Sequence, residues 1–242
     1  MKSKDKVCVV SLGCAKNLVD SEHILGWLSE KKYPIVGNLE EADIAVINTC
    51  GFLQSAVEEA IRTILEVSER KRKGRLRKLY VVGCFVQRYG YKLRKEIPEV
   101  DGWAGPGEIH QITELLQGRK RKDPPFLINR PTYLPDHRTP RVQSTPLWSA
   151  YLKIAEGCSH RCSFCLIPKL RGPLRSRSLE SLIEETVQMV ERRTWWNGLC
   201  RSEGSPGSAF CTAIPRGSRT GFWNSWSPHP LCAPISTSPF NT

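Results

Sequence analysis

Three cysteines, Cys158, Cys162 and Cys165, stand in the run EGCSHRCSFC as a C-x3-C-x2-C array. A loop this short brings three thiolates toward one point and suits three corners of a cubane iron–sulfur cluster, leaving the fourth iron without a protein ligand. Zinc would need a fourth ligand. His160 offers one, but closely spaced zinc sites favour C-x2-C pairs with a second pair beyond. Three further cysteines share a setting of their own. Cys14 follows VVSLG, Cys50 follows AVINT and Cys84 follows YVVG, at separations of 36 and 34 residues. Thiolate clusters favour zinc or iron–sulfur centres. The competing reading is three buried structural cysteines, because free cysteine is among the most buried residue types. Cys8, inside the first apolar run, reads that way. The chain holds ten cysteines in all; in a reducing cytosol such clustering points to metal or redox chemistry rather than disulfides.

The elements that must position these thiols are legible. KVCVVSL, ADIAVINT and KLYVVG are short β-branched runs of the type that forms buried parallel strands. Between them lie helical patterns: Val19, Ile24, Leu25 and Leu28 in the first, then Val57, Ala60, Ile61, Ile64 and Leu65 across Ser55 to Glu69. Glu108 to Leu116 reads as one more helix. This rhythm predicts βαβ units, hence an α/β fold with a parallel sheet covered by helices. One strand–helix unit is about 35 residues long, so Cys14, Cys50 and Cys84 fall at the carboxyl ends of successive strands. In such a sheet all carboxyl ends share one edge, where ligands bind. Gly13, Gly51 and Gly83 permit tight turns or close backbone approach there. Three thiolates from one edge leave a fourth metal position open.

Residues 1–117 are expected to form this first domain. From 118 to 147 the sequence turns basic and then proline-rich (PPF, RPTYLP, DHRTP, STP), which predicts a linker crossing the surface in extended form. A second unit is expected over 148–193. SAYLKIAEG reads as a strand feeding the cysteine loop, and Leu179 to Arg193 as a helix with Leu182, Ile183, Val187 and Val190 on one side. Residues 194–242 follow no helix or strand rhythm. They hold no lysine, one acidic residue (Glu203) and four of the seven tryptophans. A disordered tail is ordinarily poorer in tryptophan and richer in charge; this composition suits a coding sequence read in the wrong frame.

Hydrophobic residues at 40% and charged residues at 25% are ordinary for a globular protein. No stretch approaches the roughly 20 apolar residues of a membrane span, and the basic N-terminus lacks a secretory pattern, so a cytoplasmic protein is expected. The net charge of +12 is concentrated in Arg70 to Lys78 and Arg119 to Lys122. Such runs are either solvated helix ends and linker or contacts to the phosphates of an RNA-rich partner. Neither run interleaves the aromatic residues a base-stacking platform uses.

The second cysteine array is that of the radical S-adenosylmethionine enzymes. The resemblance implies that the open iron binds the amino and carboxylate groups of S-adenosylmethionine. Reduction then cleaves the sulfonium to a 5′-deoxyadenosyl radical, the hard chemistry belonging to the cofactor. It places Phe164, the aromatic residue before the third cysteine, near the adenine; the plainer role of a hydrophobic loop anchor stays open. The two cysteine sets in this order resemble the methylthiotransferases. That family implies two 4Fe–4S clusters, the first held by Cys14, Cys50 and Cys84 and the second by Cys158, Cys162 and Cys165, with no catalytic side chain beyond these ligands. The open iron of the first carries the sulfur or methylthio group, and a second S-adenosylmethionine supplies the methyl.

The wording around the cysteines resembles the branch that modifies ribosomal protein. SLGCAKNLVDSE has Ala15 where that branch usually has proline, and Lys16-Asn17 does not fit the tRNA-adenosine branch. INTCGFLQSAVEEAI and EGCSHRCSFCLIPKLRGPLRSR are similar to the same branch. The implied substrate is a loop aspartate of small-subunit ribosomal protein twelve, methylthiolated at its β-carbon near ribosomal RNA, with an electron donor as second partner. The resemblance runs from about Lys6 to Arg193. The fold it implies is a parallel-sheet methylthiotransferase domain followed by the start of an incomplete radical-enzyme (βα) barrel. The further βα units of that barrel and the small β-barrel after it are not recognisable beyond Arg193, so impaired turnover is expected. A tRNA-adenosine enzyme and a non-catalytic iron–sulfur fragment are the alternatives.

Overall fold

In a computed structural model, which describes residues 5–117, 124–146 and 149–194, the first three apolar runs become parallel strands β1 (Val7–Ser11), β2 (Ile44–Thr49) and β3 (Lys78–Gly83). The two helical patterns between them become α1 (Ala15–Glu30) and α2 (Gln54–Arg72), and a further helix, α3 (Cys84–Glu96), follows β3. Two short strands complete the sheet, β4 (Gly102–Ala104) and β5 (Phe126–Leu127), in the order β1-β2-β3-β4-β5, every neighbouring pair parallel. The α/β parallel-sheet expectation is borne out.

Alternation along the strands loads both faces. Ala45 and Ile47 of β2 join Val57, Ala60 and Ile64 of α2 and Phe85 of α3 in one core. Ile44 and Val46 join Ile24 and Leu28 of α1, with Ile109, Ile112 and Leu115, in the other. The side change has a topological cause. Val7 also bridges Ile35 in parallel, so the chain leaving α1 first returns on the outer side of β1 before crossing to β2. α1 leaves β1 toward the Ile35 side and α2 leaves β2 toward β3, and the two helices cover opposite faces of the sheet. The gap between the carboxyl ends of β1 and β2 is therefore the switch point, where ligands of open α/β sheets bind.

Some sequence expectations need correction. Glu108 to Leu116 is not one helix: a 3-10 turn (Ile109–Gln111) leads into α4 (Ile112–Gln117). The proline-rich stretch does more than cross the surface. Phe126–Leu127 adds the fifth strand, where a two-residue edge tolerates flanking prolines, and Arg141 is buried. SAYLKIAEG yields only a two-residue strand, β6 (Ala155–Glu156), paired antiparallel with β7 (Arg175–Ser176). Between them runs α5 (Ile167–Arg171), and α6 (Leu179–Thr194) follows. The helix expected at Leu179 to Arg193 is present, but Ile183 and Val187 of its apolar side are exposed.

All of this except the end of α6 lies in one compact unit spanning residues 1–189; a second unit begins at Val190. The expectations for Arg119 to Lys122 and for the tail beyond 194 lie outside the described residues. Among the described residues no helix is long and apolar enough to cross a membrane.

Candidate metal centre

Cys14 begins the turn into α1 as its N-cap, Cys50 directly follows β2, and Cys84 opens α3. The fold thus sets all three at the carboxyl ends of adjacent strands. Cys14 is exposed, whereas Cys50 and Cys84 retain 8% and 6% of their surface. Contact is close. Gly13 has φ +88°, and a Cβ there would stand 2.4 Å from the Cys50 Cβ and 3.2 Å from its Sγ. Gly51 lies equally tight against the Cys84 backbone, where an added Cβ would meet the carbonyl oxygen at 2.7 Å. Glycine is required at both places because a larger residue would push the neighbouring cysteine turns apart. Among the described residues no three His, Cys, Asp or Glu side chains converge as a site for one metal ion. Cys14, Cys50 and Cys84 are three thiols on three separate turns of one sheet edge.

Cys8 is different. It is buried within β1 in the core against α2 and α3, and burial pushes its thiol up, as for a structural cysteine.

The second set lies in residues 158–165. The Cys158 amide donates to the Gly172 carbonyl at 3.1 Å, and the Cys165 amide to the Cys162 carbonyl at 3.1 Å. Cys162 is exposed, and Cys158 and Cys165 are half-buried. Phe164 stands 82% exposed, so it does not anchor the loop in a core. His160 is exposed as well.

The two sets meet through α5. Arg171, at its end, donates from Nε to Cys84 Sγ at 3.2 Å. Its other nitrogens reach Asp20 at 2.8 Å, Glu156 at 3.0 Å and the Asn17 side-chain oxygen at 2.8 Å. Lys153 pairs with Asp20 and with Glu156, the latter at 2.9 Å. Two carboxylates thus balance two cations in a buried cluster. Burial by itself would raise the Asp20 and Glu156 carboxyls, but Arg171 and Lys153 hold both below the ordinary range. Burial pushes the Cys84 thiol up to about 11 against the pull of Arg171; metal binding there would have to release the proton. Lys16, two residues past Cys14, also donates to the Ala155 carbonyl at 3.0 Å.

Sequence reading missed these groups. In the pattern Val19, Ile24, Leu25, Leu28 the intervening polar residues look like a solvated face, yet Asn17, Asp20, Ser21, Glu22 and His23 are all buried. The available signal was the density of charged residues in the two cysteine-flanking stretches, NLVDSE and LKIAEG. Four residues of the basic run from Arg70 to Lys78 form ion pairs within the chain. Arg70 pairs with Glu40, Lys71 with Asp101, Arg72 with Glu69 and Glu99, and Arg77 with Asp5.

The described fold is an α/β parallel sheet, and the chain carries two sets of three cysteines, one at the sheet edge and one in the loop at 158–165. Among solved structures it is similar to the radical S-adenosylmethionine methyltransferase TsrM from Kitasatospora setae, with a TM-score of 0.50, covering 78% of this chain and 46% of that one. At 14% identity this likeness is one of fold alone. Residues 6–105 match the uncharacterized protein family UPF0004. Among curated proteins the chain is similar to the ribosomal protein uS12 methylthiotransferase RimO of Syntrophotalea carbinolica, 48% identical over 188 residues, covering 77% of this chain and 41% of the relative. The protein of the same name from Geobacter sulfurreducens is 47% identical over 189 residues, covering 78% of this chain and 42% of the relative. The resemblance to the ribosomal-protein branch of the methylthiotransferases is borne out, and the chain spans about two fifths of the length of these relatives.

Proposed function

We propose that this chain carries the two cluster-binding sites of an enzyme that methylthiolates the β-carbon of a loop aspartate in ribosomal protein uS12. The observation that carries the reading is that both segments flanking the second cysteine loop pack on the first cysteine edge, α5 through Arg171 against Cys84 and β6 through Ala155 against Lys16. Two separate thiol sets fastened together in this way suit a reaction in which one site generates a radical and the other delivers sulfur. Cys14, Cys50 and Cys84 would hold one 4Fe–4S cluster and Cys158, Cys162 and Cys165 the other, each leaving one iron open. When bound, S-adenosylmethionine supplies both the radical and the methyl group.

The chain's own residues have separable tasks. The switch point between β1 and β2 fixes the Cys14 and Cys50 turns, and Gly13 allows them to touch. The exposed ring of Phe164 offers a face for the adenine. The exposed Cys14 and Cys162 mark the sides from which an electron donor and a substrate loop can approach. On this reading the substrate loop is presented beside ribosomal RNA, in the cytoplasm. The tRNA-adenosine reading and the non-catalytic fragment are the alternatives, and product analysis separates them.

The test is to reconstitute the chain anaerobically with iron and sulfide, then add reductant, S-adenosylmethionine and small ribosomal subunits. Mass spectrometry of uS12 is expected to show a methylthio group on one aspartate at low yield, in keeping with the impaired turnover expected of this chain. A modified adenosine in hydrolysed tRNA, with uS12 unchanged, would establish the other branch. Intact clusters with neither product would establish the non-catalytic fragment.

A further inference from the structure

We propose that Arg171, on the helix after the second cysteine loop, is a positioning residue of the first cluster, holding the Cys84 sulfur by its Nε–H. The inference rests on the reading of Cys14, Cys50 and Cys84 as cluster ligands.

The geometry is specific to this guanidinium. Arg171 retains 3% of its surface and sits where three elements meet: α1 through Asn17 and Asp20, β6 through Glu156, and α3 through Cys84. Asp20 and Glu156 already balance the local charge with Lys153, and they fix the plane of the guanidinium with its Nε–H toward the sulfur. A rigid planar fork of this sort is what distinguishes arginine from lysine. Groups that hydrogen-bond to metal ligands orient them and tune the metal, and a donor on a cluster sulfur favours the reduced state. Because Arg171 lies on the segment that bears the second thiol set, the first cluster senses whether that segment is seated. An arginine that served only to neutralise Asp20 and Glu156 would need no contact with the thiol.

The variant Arg171→Lys tests this, because it keeps the positive charge for the two carboxylates and removes the Nε–H. The full-length chain carrying alanine at Cys158, Cys162 and Cys165 isolates the first site. In that background Arg171→Lys is expected to shift the reduction potential of the cluster to more negative values and to alter its reduced-state electron paramagnetic resonance spectrum. Loss of iron to a chelator should be about 10-fold faster, in line with the removal of a hydrogen bond to a ligand. Arg171→Met should shift the potential further in the same direction; if it fails to fold, Arg171→Lys still decides. Arg141→Lys is the control: it alters an equally buried arginine that bonds carboxylates and a carbonyl rather than a thiol. Unchanged potential, spectrum and chelator rate in Arg171→Lys, or equal changes in Arg141→Lys, would overturn the proposal while leaving the cluster reading intact. A background chain that binds no iron would overturn the cluster reading and the proposal with it.

Discussion

Alanine at Cys158, Cys162 and Cys165 together is expected to remove about half of the iron bound after anaerobic reconstitution, as the loss of one of two clusters requires. Alanine at Cys14, Cys50 and Cys84 should remove the other half. The two losses should be additive, since the sets lie on different turns and share no ligand. Cys8→Ala should leave the iron unchanged, because Cys8 is buried in the core of the sheet. Iron per chain, measured with protein by amino-acid analysis, checks all three. Equal loss from Cys8→Ala would mean that β1 itself, rather than the Cys14 turn, supplies the ligand. No loss from either triple would remove the basis for a cluster at that set.

The second large effect concerns stability rather than iron. Arg141 donates to Glu22 at 2.6 Å and to Glu185 at 2.6 Å, and Arg177 also pairs with Glu185. Glu22 further accepts the Ser144 amide at 2.7 Å. Two carboxylates again face two cations, all with less than 10% of the side chain exposed. This network binds α1, the proline-rich segment and α6 to one another. Replacing Arg141 with methionine leaves Glu22 charged, buried and short of its partner, which costs about 3 to 5 kcal/mol. Against a total stability of about 5 to 15 kcal/mol that is a large fraction. Urea unfolding followed by circular dichroism should show a much lower midpoint. Adding Glu22→Gln should restore part of the loss, because the uncompensated charge is gone. By contrast Arg70→Ala, which breaks the exposed pair with Glu40, should change stability by no more than about 1 kcal/mol. If Arg141→Met and Arg70→Ala behave alike, the buried network is not what joins these segments.

These two results mark where sequence reading succeeds and where it stops. β3 is legible to the residue because KLYVVG is a short, mostly apolar run rich in strand-favouring Tyr and Val and closed by Gly83. The cysteine edge is legible for a topological reason: equal spacing in βαβ units puts equivalent positions side by side, whatever the side chains do. β4 and β5 are not legible. Gly102–Ala104 and Phe126–Leu127 are two or three residues long, too short to show a period, and are strands only because β3 offers an edge to the first and β4 to the second. The polar side of α1 misleads for another reason. A helical wheel distinguishes apolar from polar but cannot tell a solvated carboxylate from one that will meet an arginine more than a hundred residues later. Asp20 with Arg171 and Glu22 with Arg141 are both of this kind. The tie between Arg171 and Cys84 is hidden in the same way, since nothing near either residue encodes the other.

The central claim is that the two thiol sets each hold one 4Fe–4S cluster, and Mössbauer spectroscopy of the protein reconstituted with iron-57 tests it most directly. The account predicts about eight irons per chain, all with the parameters of cubane clusters. Half that iron in the intact chain, or tetrahedral metal bound as single ions by thiolates, would contradict it.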